Sequence, residues 1–346
     1  MDVQLGILSL GSTQPDPLTG ETRSATEHFD DVVRLAEFAE QLGLDYFGFG
    51  EHHAGRTVAT APPVVLAAIA ARTSRIRLIT TVTLLSTLDP LRVAEDYATL
   101  DHMSHGRLEL IVGKGNSADP YTMFGYDREH QWELQAEHYE LLHRLWREED
   151  VTFSGKFRGR LEGVTSLPRP LQTPPPVWHG VATSQASPDL AARFGDPIFV
   201  ANAIQPMENY GKLVDHYRER WAAYGHDPAR AGVGSGGLLF VGKTSQQARD
   251  DLRPYYEAQW ADRDPTRDRG GVGDEPAGQT LESNIAAGGL FAGSPQEIVD
   301  KVGTYRERFG HDLMIFGPQI GGMPYGLVAD SLDLFATEVA PHLRSL

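Results

Sequence analysis

Cysteine is absent from the sequence, since none of its 346 residues is a cysteine. This absence excludes a disulfide framework, a zinc site built on thiolates and a catalytic thiol. It is also typical of a protein that works in a reducing compartment. The first residues, MDVQLGILSLG, contain neither a positively charged start nor a long apolar stretch. We therefore expect no signal peptide and a cytoplasmic location.

Positive charge is scarce in this chain. The 31 Lys and Arg residues are outnumbered by 47 Asp and Glu residues, which gives a formal net charge of −16. Such an acidic chain is unsuited to bind a nucleic-acid backbone or an anionic membrane surface. Long apolar runs are missing as well, because no stretch approaches the ~18 consecutive apolar residues of a membrane-spanning helix. We expect a small-molecule partner, with neither nucleic acid nor membrane.

The chain does contain a regular alternation of short apolar runs and longer helical stretches. The apolar runs are bounded by Gly, Asp, Pro or Ser, as is typical of strands covered on both faces. Repeated strand–helix units form either a closed barrel or an open doubly wound sheet. The open sheet favours GxGxxG in its first turn, which here reads GSTQPD, so we predict an α/β fold, a (β/α)8 TIM barrel with insertions. The predicted strands are Val3–Leu10, Asp45–Glu51, Ile76–Leu85, Arg107–Gly113, Val177–Ala182, Pro197–Asn202, Gly232–Val241 and Asp312–Gly317.

Two segments interrupt the alternation within what we predict to be one domain over residues 1–346. Residues 150–176 hold short extended runs and the clusters PRP and TPPP, which predict a hairpin-like excursion before the fifth strand. Residues 261–289 are rich in Gly, Asp, Arg and Pro and have almost no apolar periodicity. A loop of this length in a compact domain is usually functional or disordered. We predict a mobile lid over the barrel mouth, with an insertion that has no role as the alternative.

Residues that follow the strands carry the chemistry in barrels of this kind. The second predicted strand ends in Glu51, His52 and His53, and alternation along a strand should bring at most every other one to the same wall. A histidine there can act as a general acid or base, bind a metal, or be a hydrogen-bonded core residue. We predict no metal, because the other strand ends offer a poor ligand set. Those strand ends carry Thr81, Lys114, Thr183 and Asn202.

The fourth strand and the fifth helix together indicate a phosphate site. Lys114 lies between two glycines, which allow a ligand to approach the backbone closely. After the fifth strand, Ser187 and Pro188 are predicted to be the N-cap and first residue of a helix, whose free N–H groups bind phosphate. Lys114 should face the same rim, so we predict a phosphorylated ligand. An ordinary turn and an ordinary capped helix are the alternative.

Ordered motifs cover most of the chain: GLDYFGFGEHH at 43–53, LLSTLDPLRVAEDYATLDHMSHGRLELIVGKG at 84–115, FGYD at 124–127, VATSQASPDLAARFG at 181–195 and GSP at 293–295. In these motifs the sequence resembles the bacterial luciferase-like flavin monooxygenases. The resemblance implies a barrel that binds FMN at its C-terminal mouth. It also implies that reduced FMN from a separate flavin reductase forms a peroxide with dioxygen on the flavin 4a carbon, which oxygenates a small organic substrate.

The resemblance also implies roles for individual residues. His52 matches the family's acid/base histidine, and we place Glu51 and His53 beside it as catalytic residues. Trp132 stands where the luciferases have a second arginine near the phosphate, and the segment 261–289 matches the family's lid. Thr81 and Val82 match a non-prolyl cis peptide beside the isoalloxazine ring. The predicted phosphate contacts are Lys114, where the family has arginine, and Thr183, Ser184 and Ser187. Val181 is a further predicted cofactor-binding residue.

The same resemblance leaves two alternative functions. One is hydride transfer with a deazaflavin coenzyme, and the other is flavin binding without turnover.

The resemblance further implies a homodimer through the Ala-rich stretch 62–73, with burial inside the barrel's own shell as the alternative. The substrate is not legible from the sequence. Four aromatic residues near the predicted mouth point to an apolar substrate or to ordinary core: Phe49, Tyr121, Phe124 and Trp178.

Overall fold

The computed structural model describes residues 3–202, 205–261 and 280–345. The strands are Gln4–Ser9 (β1), Tyr46–Phe49 (β2), Arg77–Thr80 (β3), Leu108–Val112 (β4), Val151–Phe153 (β5), Leu161–Val164 (β6), Val177–Val181 (β7), Ile198–Ala201 (β8), Val233–Val241 (β9), Leu290–Gly293 (β10) and Leu313–Gly317 (β11). The helices are Ala25–Gln41 (α1), Pro62–Ala70 (α2), Pro90–Met103 (α3), Asp119–Phe124 (α4), Gln131–Arg147 (α5), Ala186–Phe194 (α6), Met207–Ala223 (α7), Ser245–Ala261 (α8), Leu281–Ala287 (α9), Pro295–Phe309 (α10), Tyr325–Leu334 (α11) and Ala340–Arg344 (α12).

Eight parallel strands close into a barrel. Its order is β1, β2, β3, β4, β7, β8, β9 and β11, and β11 returns to pair with β1. Each pairing is parallel, and helices connect most successive strands. The predicted (β/α)8 barrel is therefore confirmed, and each of its strands falls within a predicted range.

Strand β10 was missed by the sequence analysis. It pairs in parallel with the second half of β9, where Leu290 lies opposite Leu238 and Gly293 opposite Val241. The first half of β9 is used by β8 and β11, so nine residues of one strand serve three neighbours. A four-residue run between a Gly-rich stretch and a helix start carries little local signal, which explains the omission.

Helix ends follow the expected capping chemistry. The Asp89 side chain accepts hydrogen bonds from the backbone N–H groups of Leu91 and Arg92 and so caps the start of α3. Ser294 and Glu297 form a capping box at the start of α10. These caps fix where the helices begin and therefore the course of the loops that precede them.

The lower part of the barrel is filled with side chains. A polar layer at the amino ends of the strands centres on Glu109, which accepts hydrogen bonds from Tyr46, Arg77 and Trp178 at 2.7–2.8 Å. Above it lies an apolar layer of buried side chains, which include Ile79, Ile111, Phe199, Leu313 and Ile315. At the carboxyl end of the barrel, the described residues instead line a cavity.

The two predicted interruptions have different outcomes. Within 150–176, strands β5 and β6 form an antiparallel pair outside the barrel. Of the predicted lid, residues 262–279 lie outside the described residues, and its last part contains α9. Among the helices that the structure describes, none has the length and apolar character needed to cross a membrane.

Candidate active site

A cavity of about 300 Å³ opens at the carboxyl ends of the barrel strands. It exists because the last inward positions of most strands carry residues with small side chains or none. The wall there includes Gly113, Gly180, Ala182, Gly236 and Gly317. Larger residues at these positions would complete the barrel core, as they do one layer below. The glycines therefore leave room for a ligand.

Val82 occupies part of this space and lies against two of the glycines. A β-carbon at Gly113 would lie 3.0 Å from Val82 Cγ2, and one at Gly180 would lie 3.2 Å from Val82 Cγ1. The peptide bond between Thr81 and Val82 is cis, in agreement with the family resemblance. Both residues line the cavity, and the Thr81 hydroxyl is buried there without a hydrogen-bond partner.

Glu51, His52 and His53 all line the cavity, so the expected alternation was wrong. Strand β2 ends at Phe49, and the chain beyond it no longer follows strand geometry. The rule that successive side chains point to opposite faces therefore does not apply to these three residues. One strand end consequently brings three titratable side chains to the same cavity.

The Glu51 carboxylate orients His53. Its Oε1 lies 2.9 Å from His53 Nε2, and its Oε2 accepts a hydrogen bond from the backbone N–H of Leu84 at 3.0 Å. The ring of Phe124 meets the His53 ring edge-on, with 4.8 Å between centroids. The backbone N–H of His52 donates to the carbonyl of Ala59. The Glu51 carboxylate therefore sets the tautomer of His53.

Lys114 is a half-buried cation that follows β4, two strands further round the ring from β2. Its Nζ donates to the carbonyl of Gly115 at 3.0 Å and lies 5.0 Å above the ring of Trp132. Burial, together with the positive charge of Arg128, lowers the pKa of Lys114 to about 8. Arg128 was not singled out by the sequence analysis, and its place near Lys114 depends on how the chain folds after α4.

The loop from β7 to α6 lies beside Lys114 at the rim, because β7 pairs with β4, the strand that Lys114 follows. Val181, Thr183, Ser184 and Ser187 all line the cavity, as does Lys114. The predicted N-cap was wrong, because α6 begins at Ala186 and Ser187 already lies in its first turn. Ser184 Oγ instead accepts a hydrogen bond from the backbone N–H of Ala186. Hydroxyl groups and a helix N-terminus therefore meet one cation at this rim.

Asn202 is a further polar residue of the cavity. Its Nδ2 donates to Ser235 Oγ at 2.5 Å, while its Oδ1 is buried without a partner. The sequence analysis weighed Asn202 only as a metal ligand. A polar residue directly after a predicted strand was the signal that could have marked it as a ligand contact.

The four aromatic residues proposed to lie near the mouth are not among the described residues that line the cavity. Phe49 is core, and the Trp178 indole donates to Glu109 in the lower layer of the barrel. The Tyr121 hydroxyl donates to the carbonyl of Lys114, so it supports the rim from behind. Phe124 touches His53 at the edge of the site.

Metal binding has no support in the part of the chain that the structure describes, which holds no group of three or more His, Asp or Glu residues able to coordinate an ion.

A closed (β/α)8 barrel with a cavity at the carboxyl ends of its strands is the architecture of an enzyme. The family model described as luciferase-like monooxygenase matches residues 3–312, and the chain belongs to this family. Its membership confirms the predicted resemblance and the prediction of an enzyme of the monooxygenase class.

Two relatives show the breadth of the family. Limonene 1,2-monooxygenase from Rhodococcus erythropolis is 29% identical over 327 residues, covering 90% of this chain and 81% of the relative. The oxygenase component of the flavin-dependent trigonelline monooxygenase from Acinetobacter baylyi is 24% identical over 332 residues, covering 90% of this chain and 89% of the relative.

Solved structures share the fold over nearly the whole chain. The monooxygenase RslO1 from Streptomyces bottropensis has a TM-score of 0.85 at 30% identity, covering 98% of this chain and 99% of its own. The oxygenating constituent of 3,6-diketocamphane monooxygenase from Pseudomonas putida, in complex with FMN, has a TM-score of 0.81 at 20% identity and 98% coverage of both chains. An F420-dependent secondary alcohol dehydrogenase has a TM-score of 0.74 at 18% identity and 99% coverage of both. The last two likenesses concern the fold alone.

Proposed function

We propose that this protein is an FMN-dependent monooxygenase that oxygenates a small organic substrate. The observation that carries the proposal is the pairing, across one cavity, of a cation beside a helix N-terminus with a histidine held by a carboxylate. When bound, reduced FMN would supply two electrons to dioxygen, so that one oxygen atom enters the substrate and the other leaves as water. The names of the relatives support a flavin as the cofactor.

The residues of the cavity fit FMN. Lys114 and the hydroxyl groups of Thr183, Ser184 and Ser187 match the phosphate, which needs positive charge and hydrogen-bond donors. Gly113 and Gly180 have no side chains, so they leave room for a planar ring system beside Val82. The unpartnered Thr81 Oγ1 and Asn202 Oδ1 offer hydrogen bonds to the polar edge of such a ring.

The acid–base residues would serve the proton transfers of the reaction. With Nε2 of His53 donating to the Glu51 carboxylate, the neutral ring keeps Nδ1 free to accept a proton. His52, at the position of the family's acid/base histidine, lines the same cavity. Water must be kept from this site during turnover, because stray protons divert the reduced flavin and oxygen to hydrogen peroxide.

A separate flavin reductase is the proposed source of reduced FMN. The trigonelline monooxygenase relative is named as the oxygenase component of its system, which implies a second component there. By analogy we propose diffusive delivery of reduced FMN to this chain.

Rapid mixing tests the proposal. The protein is loaded with FMN reduced under nitrogen and mixed with oxygenated buffer, while flavin absorbance is followed. The expected result is that flavin reoxidation is at least tenfold slower than for free reduced FMN, and that the His52→Ala variant changes its time course. Reoxidation at the rate of free flavin overturns the proposal. Tight binding of the deazaflavin coenzyme with weak binding of FMN would favour hydride transfer, and unchanged kinetics in His52→Ala would favour flavin binding without turnover.

A further inference from the structure

The cavity wall divides into two chemically different parts. The titratable residues that line it follow β2 and β4, and they are Glu51, His52, His53 and Lys114. Four consecutive strands of the ring, β8, β9, β11 and β1, contribute a different surface. We call this surface the apolar wall, and it consists of Leu8, Phe199, Ala201, Gly236, Leu238 and Gly317.

None of the described residues that form the apolar wall carries a charge. Asn202 follows Ala201 of this wall and also lines the cavity; its Nδ2 donates to Ser235 Oγ and its Oδ1 has no partner. The partial negative charge on Asn202 Oδ1 repels an anion, and it is too small to balance the charge of a cation. An ionised group placed against this wall would therefore lose its hydration without gaining a compensating partner.

The apolar wall is also closed from below. Phe199 is 5% exposed and lies directly under Gly236, where a β-carbon would come within 3.0 Å of its Cζ. Ile111, fully buried, closes the adjacent floor. A molecule bound here cannot extend down the barrel axis, so the floor limits how deep the substrate can reach.

We propose that the apolar wall binds the body of the substrate and selects compact, uncharged, apolar molecules over carboxylates and sulfonates of the same size. The inference rests on the proposed function, since it assigns the substrate class of the same cavity. Lys114 and the α6 start serve the phosphate of the cofactor, which leaves the opposite strands for the substrate.

Two ligands with one carbon skeleton test the charge selection. Carvone and perillate share a p-menthane ring and differ in that one carries a ketone and the other a carboxylate. Isothermal titration into the FMN-loaded protein should give a dissociation constant for carvone at least tenfold below that for perillate. Equal affinities, tighter binding of perillate, or no binding of carvone overturn the inference.

Filling the wall tests its location. In Gly317→Ala the new methyl group would lie 3.3 Å from Leu238 Cδ2 and 3.6 Å from Leu8 Cδ1, so a small adjustment accommodates it. It should weaken carvone binding about tenfold, the usual effect of one methyl group in a tight pocket, and leave FMN affinity unchanged. Gly303→Ala is the matched control, because Gly303 lies on α10 with open space around it. If Gly317→Ala does not fold, Ala201→Val fills the same wall from β8.

The outcomes separate this inference from the proposed function. Unchanged carvone affinity in both filling variants overturns the apolar wall as the substrate site, even if the protein slows flavin reoxidation. A protein that prefers carvone but leaves reduced FMN unprotected sustains the ligand class and overturns the monooxygenase proposal.

Discussion

At the scale of one residue, Lys114 shows how partial burial changes the pKa of a side chain that lines the cavity. Its ammonium group is removed from water, faces the ring of Trp132 and lies near a second cation, Arg128. These surroundings disfavour the charged form, so the pKa falls to about 8. A bound phosphate would raise the pKa of Lys114 again, because its negative charge favours the protonated ammonium group.

FMN binding should therefore weaken as the pH rises. Below about pH 8 the free protein already carries the positive charge on Lys114, whereas above it binding must first protonate the lysine. The dissociation constant of FMN should rise between pH 7 and 9.5 by up to about tenfold per pH unit. Fluorescence titration measures it, and riboflavin, which lacks the phosphate, should show no such trend. Lys114→Met should remove the pH dependence, and the exposed Lys212→Met should not.

Glu51 is a second residue whose environment makes a definite prediction. It is 4% exposed, and it accepts hydrogen bonds from His53 and from the backbone of Leu84. In Glu51→Gln the single amide oxygen can accept from only one N–H group, so it stays with Leu84 only if His53 changes tautomer and accepts from the amide NH₂. The free energy of unfolding should fall by about 1 kcal/mol, because at least one hydrogen bond to a charged carboxylate is lost. Urea denaturation measures it, with the exposed Glu21→Gln as control, and an unchanged midpoint would contradict the assigned contacts.

At the scale of elements, Arg107 joins the ends of three of them. Its guanidinium donates to the carbonyls of Ala70, Thr73, Ile76 and Ser104 and to the hydroxyl of Thr73, at 2.8–3.1 Å. These acceptors lie at the end of α2, at the start of β3 and just after α3. The contacts fix how β3 and β4 enter the barrel and hence where Thr81 and Lys114 emerge.

Arg107→Lys should destabilise the protein although the charge is kept. Lysine has three donors for the five hydrogen bonds of Arg107, so about two acceptors lose their partner. At about 1–3 kcal/mol for each, the free energy of unfolding should fall by about 2–6 kcal/mol. Arg72→Lys, at a side chain that is 63% exposed, is the control and should change little. Equal effects of the two variants would disprove the role of Arg107.

At the scale of the whole molecule, the outer face of α2 carries exposed apolar residues. Val64 is 69% exposed, and the small exposed Ala68 lies one turn along the same helix. Small residues allow two helices to approach closely, so we propose that two copies of this chain pair through α2.

Sedimentation velocity at micromolar concentration should show a dimer. The Ala68→Glu variant should sediment as a monomer with unchanged circular dichroism, because like charges would face each other at the pairing surface. Ala229→Glu, an exposed position beyond α7, should stay dimeric. A monomeric wild type, or a dimeric Ala68→Glu, would rule out pairing through α2.

The barrel and much of its mouth could be predicted because their signals are local. Apolar runs between turn residues mark strands, and strand ends in a barrel converge on one face, so Glu51, Lys114 and Thr183 could be placed together. The short β10 and the true start of α6 could not, because a few residues of context decide them. Charge interactions between residues that are separated along the chain, such as the repulsion between Arg128 and Lys114, leave no local pattern.

Local residue patterns were sufficient to specify a barrel and to bring an acid–base group and a cation to its mouth. Folding alone assigned the remaining features. It turned His53 toward the Glu51 carboxylate, since the chain leaves strand geometry after Phe49. It also gathered Leu8, Phe199, Leu238 and Gly317 into one wall, because closure of the ring joins strands that are hundreds of residues apart. Side-chain direction after a strand and contact between distant strands depend on the path of the entire chain.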